Sequence, residues 1–148
     1  MKKVYRLLFA LHLFVGIGAM AGGLAAISNP KAPLGISVEV IKNSPFSNYL
    51  IPGIILFTII GLGNVISALM FHFKFRFQGY ISSVFSWALV IWIVVQCIMM
   101  NAIVFLHVLF FMIGLVEAGL SMIILFEKRL FPANFILKFY EEWKGCKG

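Results

Sequence analysis

Residues 105–126 read FLHVLFFMIGLVEAGLSMIILF, a run with one histidine, one acid and no lysine or arginine. A helix rising 1.5 Å per residue needs about 20 apolar residues to cross the ~30 Å hydrocarbon core of a bilayer, and this run supplies them. Three more segments do the same: Leu7 to Ile27, Tyr49 to Phe71 and Tyr80 to about Asn101. None alternates with period two, which argues against barrel strands. In lipid the backbone must satisfy its own N–H and C=O groups, so a continuous apolar run becomes a helix. The reading is an all-α polytopic membrane protein, a four-transmembrane-helix bundle over residues 1–130 with helices at about 7–27, 49–71, 80–101 and 105–126. A short amphipathic tail covers residues 131–148.

Composition agrees. Of 148 residues 62% are hydrophobic and 11% charged, and mean hydropathy is +1.04, whereas a soluble domain carries about 25% charged residues. The net charge of +7 would suggest nucleic acid as a partner in a soluble chain. Here the cations flank apolar runs, where they anchor helices and set orientation, so no nucleic-acid partner is expected. Lys2, Lys3, Arg6, Lys74, Arg76, Lys128, Arg129, Lys138, Lys144 and Lys147 fall on one side of the predicted bundle. Only Lys31 and Lys42 fall on the other. The positive side is the cytoplasmic one, so both termini are expected inside and the long connection, Ser28 to Ser47, outside. Met1-Lys2-Lys3 before an apolar stretch resembles a signal peptide, but the apolar region continues to Ile27, long enough for a retained span.

That outer connection contains Pro30, Pro33 and Pro45, so it begins and ends as irregular chain. Ile36 to Lys42 suits a short interfacial helix or strand, and Leu34, Ile36, Val38, Ile41 and Phe46 are apolar enough to cover the outer mouth of the bundle. Ser47 or Asn48 can cap the second helix, and Pro52 suits its first turn. In the tail, Phe131, Phe135, Phe139 and Trp143 recur every four residues, with Pro132 in the first turn. This predicts an amphipathic helix on the inner leaflet, with packing against the ends of the bundle as the alternative.

Polar groups inside a membrane need a partner or a purpose. They are His12, Asn64, Gln96, His107 and Glu117, each on a stripe of small residues: Gly16, Ala19 and Gly23 with His12, Gly61 and Ala68 with Asn64, Ser82 and Ser86 with Gln96, Gly114 and Ser121 with His107 and Glu117. Small residues let helices approach closely in lipid, so these stripes should face the bundle interior. Depth then predicts an inner polar cluster, His12, Asn64 and Glu117, and an outer one, Gln96, Asn101 and His107. Glu117 is the sharpest candidate. A carboxylate held in low dielectric is neutral or paired, and His12 is the partner within reach. Two roles stay open for it: proton carrier, or interhelical hydrogen bond that fixes the bundle.

No residue pattern names a reaction. Cys97 and Cys146 form no C-x-x-C pair. No two histidines match in depth for axial haem ligation, zinc lacks ligands at a usual spacing, and P-loop, Gly-x-Ser-x-Gly and His-Glu-x-x-His motifs are absent. No cofactor and no metal are expected, and catalytic residues cannot be named.

The run Asn43-Ser-Pro-Phe-Ser-Asn-Tyr-Leu-Ile-Pro-Gly53, with Asn29-Pro30 and Leu34-Gly35-Ile36 before it and Trp92-Ile-Val-Val-Gln96 after it, resembles a family of small four-helix bacterial membrane proteins. The similarity covers most of Leu7 to Phe126. It departs at Asn48, where the family pattern has aspartate, and at His107-Val108, where it has Gln-Pro. The resemblance implies the four-helix fold and a bacterial cytoplasmic membrane, and implies no activity. The leading expectation is a non-enzymatic accessory, scaffolding or small-ligand-binding bundle. Its partners would be membrane lipids, with a homo-oligomer or a larger membrane complex beyond them. A small oligomeric transporter with a proton-coupled Glu117 is the alternative, and a membrane enzyme acting on lipid or quinone the third reading.

Overall fold

The computed structural model describes residues 1–128, 130 and 133–146. Arg129, Phe131, Pro132 and Lys147, which entered the charge count and the tail stripe, lie outside the described residues. Four helices are long and apolar enough to cross a membrane: α1 (Lys2–Ser28), α2 (Leu50–His72), α3 (Gln78–Met100) and α4 (Phe105–Glu127). A shorter helix, α5 (Ala133–Gly145), follows. The spans run up and down in sequence and form a ring in which α1 packs on α2 and α4, α2 on α3, and α3 on α4. One end of the ring, the terminal side, carries the start of α1, the α2–α3 turn and the end of α4. The other, the loop side, carries the long α1–α2 connection and the α3–α4 turn.

The α1–α2 contact is a seam of small residues. A Cβ added at Gly23 would sit 2.7 Å from both Phe57 Cβ and the Phe57 nitrogen and 2.8 Å from the Gly53 carbonyl oxygen. One added at Gly16 would sit 3.1 Å from the Gly61 oxygen. The two backbones touch because glycine leaves nothing between them. Within α2 the segment Leu56–Leu62 is wound as π-helix, a wider turn that the sequence does not announce.

The α1–α2 connection is docked, as its apolar residues require. Ile41 is fully buried and packs with Ala26, Tyr49 and Met99, and Val38 and Phe46 lie against them. Short 3-10 turns at Pro33–Gly35 and Val38–Ile41 build it. Its two ends are tied where the Tyr49 N–H donates to the Pro30 carbonyl at 2.9 Å and the Tyr49 hydroxyl to the Ser37 carbonyl at 3.3 Å. Asn48 Oδ1 accepts the Leu50 N–H at 3.0 Å and opens α2, and Pro52 follows in the first turn. Leu34 differs from expectation. It takes a left-handed conformation (φ 51°) in the turn and stands 82% exposed, because the turn that brings Ile41 inward leaves it at the tip.

Candidate functional site

The inner polar residues converge on the terminal half of the bundle. His12 on α1, Asn64 on α2 and Glu117 on α4 are all fully buried. The imidazole is the hub. Asn64 Nδ2 donates to the Ile60 carbonyl at 2.8 Å, so its Oδ1 faces His12 and accepts the Nδ1–H at 2.7 Å. On the other side of the ring Nε2 lies 2.7 Å from Ser82 Oγ on α3, and Ser82 Oγ lies 2.5 Å from Ser121 Oγ on α4. The Ser121 hydroxyl is also 2.6 Å from the Glu117 carbonyl oxygen. One side chain thus reaches α2 and α3 together, and through two serines α4. Helices α1 and α3 are diagonal in the ring, and the His12–Ser82 bond joins them across its centre.

Glu117 stands apart within this centre. Its Oε1 is 3.4 Å from His12 Nδ1, ion-pair distance if the imidazole is protonated. The Nδ1–H, however, is aimed at Asn64, and neither carboxylate oxygen has a hydrogen-bond partner among the described residues. Glu117 thus faces the interior within reach of His12, in a short electrostatic contact and not in a hydrogen bond. Ser82 and Ser121 are the members that sequence reasoning missed as participants. Both were visible on the small-residue stripes, Ser121 one turn from Glu117, but a packing serine and a bonding serine look the same in a sequence.

The outer residues are arranged differently. Asn101 ends α3 in a left-handed cap (φ 46°) and is exposed. His107 Nδ1 accepts the Val104 N–H at 3.4 Å, which helps to open α4; in a neutral ring the proton is therefore on Nε2. Gln96, Asn101 and His107 do not hydrogen-bond to one another. They share cavities instead. A cavity of about 230 Å³ lies within the loop-side half, with Gln96, Met100, Val104 and His107 near its outer end and Val15, Ile60 and Leu89 at its inner end. Gly18 and Gly22 on α1 and Phe110 on α4 line its flank. A wider groove of about 670 Å³ runs between α3 and α4, past Cys97, Ile98, Asn101 and His107. His107 borders both and is 7% exposed.

Chemically, the inner centre can hold a proton between an acid and a base. The loop-side cavity can receive an apolar group with a hydrogen-bond-accepting end. Among the described residues no group of three or more histidine, cysteine or acidic side chains is placed to hold a metal ion. No protein-family model, no curated protein and no solved structure matches the chain.

Proposed function

We propose that the chain is a multi-pass protein of a bacterial cytoplasmic membrane, with both termini inside, and that it works without catalysis by binding a small amphiphile from its outer side. The observation that carries the reading is the loop-side cavity: apolar walls from all four spans, with the Gln96 amide and the buried His107 ring near its outer end. Ligand sites have this composition, mostly apolar with a few placed polar groups. The ligand that fits has an acceptor head, such as an ester or quinone carbonyl, for the His107 Nε2–H and the Gln96 amide, and a short apolar portion for the channel toward Val15.

Orientation rests on the ten-to-two bias of lysine and arginine between the two sides, which favours a cytoplasmic terminal side. The resemblance noted above supports a bacterial membrane. The tail helix adds to the reading, since Phe135 and Phe139 are each 66% exposed, an aromatic face suited to the inner leaflet.

The test is to extract the protein with its surrounding native lipid and identify the small molecules retained through purification. Wild type should keep an amphiphile that the Gln96→Leu/His107→Leu double variant loses. Identical small-molecule profiles for two folded proteins would refute the proposal.

A further inference from the structure

The inner centre lies between two unequal barriers. Toward the loop side, the floor of the 230 Å³ cavity is formed by Val15, Ile60 and Leu89. Val15 is three residues from His12 on α1, about 4.5 Å of helix rise, and Ile60 carries the carbonyl to which Asn64 is bonded. One layer of side chains therefore separates the centre from the cavity. Toward the terminal side, Leu8, Phe71 and Ile124 are buried together, and Phe71 stacks on the His12 ring with centroids 6.0 Å apart. Val4 and Tyr5, about one turn nearer the start of α1, pack against this layer, as do Phe9 and Leu120.

We propose that His12 and Glu117 form a proton-binding site, reached from the loop side through the floor of the cavity and closed from the terminal side by the Leu8–Phe71–Ile124 plug. Three observations converge on it. The pair is fully buried. Both Glu117 carboxylate oxygens lack a hydrogen-bond partner among the described residues, so the acid is not spent on holding helices together. The hydroxyl chain on His12 works in either direction.

With neutral His12, the Ser121 hydroxyl donates to Ser82 Oγ, the Ser82 hydroxyl donates to Nε2, and Nδ1–H donates to Asn64. With protonated His12, Nε2–H donates to Ser82 Oγ, Ser82 to Ser121 Oγ, and Ser121 to the Glu117 carbonyl. The neutral form leaves the Ser121–Glu117 carbonyl contact without a hydrogen and the protonated form fills it, so taking up a proton turns two hydroxyls, adds one bond and needs no movement of a helix. The balance is simple: one proton entering a Glu117 carboxylate and neutral His12 gives either the carboxylic acid beside neutral imidazole or the carboxylate beside imidazolium. Both products are net neutral, the form a low-dielectric interior tolerates best. Among the described residues, the side chains linked to the pair by hydrogen bonds are uncharged: Asn64 from α2, Ser82 from α3 and, through Ser82, Ser121 from α4. The site does not depend on the cavity holding an amphiphile, so failure of the ligand experiment leaves it standing, and its own failure leaves that experiment unaffected.

The test uses the full chain in liposomes with a trapped pH dye, under an imposed pH gradient with potassium and valinomycin clamping the voltage. Wild type should hold the gradient. Opening the plug with Phe71→Ala should let protons through roughly tenfold faster or more, the change that ~1.4 kcal/mol off a barrier produces. Adding Glu117→Gln to that variant should restore the tight state. Leu8→Ala and Ile124→Ala serve as parallel openings, so that whichever variants keep the wild-type elution profile and thermal unfolding are read. Three results would overturn the proposal: a wild type that leaks as fast as the opened variants, no leak from any folded plug variant, or a leak that survives Glu117→Gln. The last would mean that water simply crosses the enlarged gap.

Discussion

Replacing Asn64 with leucine tests whether the His12 hub is an energetic unit. The substitution keeps side-chain bulk but removes the acceptor 2.7 Å from His12 Nδ1 and the donor 2.8 Å from the Ile60 carbonyl. The imidazole sits at zero exposure, so its Nδ1–H is left with only the longer contact to Glu117 Oε1 at 3.4 Å. A buried polar group that loses its partner costs about 1–3 kcal/mol. Interhelical hydrogen bonds in membrane proteins average ~0.6 kcal/mol and reach ~1.7, because chains unfolded in lipid also find partners. An Asn64→Leu loss of about 1–2 kcal/mol follows from both ranges. His12→Phe should cost a comparable amount, since it strands the Asn64 oxygen and releases Ser82. The double variant should cost less than the sum, with a coupling of about 1 kcal/mol, within the range typical of residues in one network. Reversible unfolding in bicelles, read by steric trapping, measures all four corners of the cycle. Additivity to within about 0.3–0.5 kcal/mol would mean that the two residues act independently, and the hub reasoning would fail.

The glycine seam offers a sharper contrast. Gly23→Ala should destabilise by about 1–3 kcal/mol despite the better helix propensity of alanine, because the new methyl meets backbone that cannot yield; Gly119→Ala, where nothing lies within 4 Å, should be neutral or stabilising, and equal stabilities for the two variants would refute the close approach of α1 and α2. For orientation, a cysteine at Lys42 should react with an impermeant thiol reagent in intact cells while one at Arg76 should not, measured in a Cys97→Ala/Cys146→Ser background; the reverse pattern would invert the topology.

The four spans were legible because apolar runs of this length have one solution in lipid. Their ends shifted by a few residues where a polar or basic turn continues the helix, as at Lys2 and Gln78. The meeting of His12, Asn64 and Glu117 was also legible, since depth and a small-residue stripe together constrain where an intramembrane polar group can sit. Its wiring was not. Whether Glu117 or Asn64 receives the imidazole Nδ1–H depends on sub-ångström placement of three helices, which no periodicity encodes. The loop-side cavity was hidden for a different reason: it is lined where Gly18 of α1 stands near Phe110 of α4 and Gly22 near Leu56 of α2, residues that read separately as packing. Asn101 was grouped with Gln96 and His107 on depth alone, yet it ends its helix in a left-handed turn and stays in the open.

The α1–α2 seam carries a practical consequence. Most mutational maps are made by trimming side chains, and a contact formed by the absence of side chains presents nothing to trim. Gly16, Gly23, Gly53 and Gly61 would be skipped in such a survey, although the distances at Gly23 and Gly53 leave no space for a single extra carbon. Only additions reveal this interface. A saturation library read for tolerated size would therefore outline it as a line of positions that accept one residue, and would do so without a structure in hand.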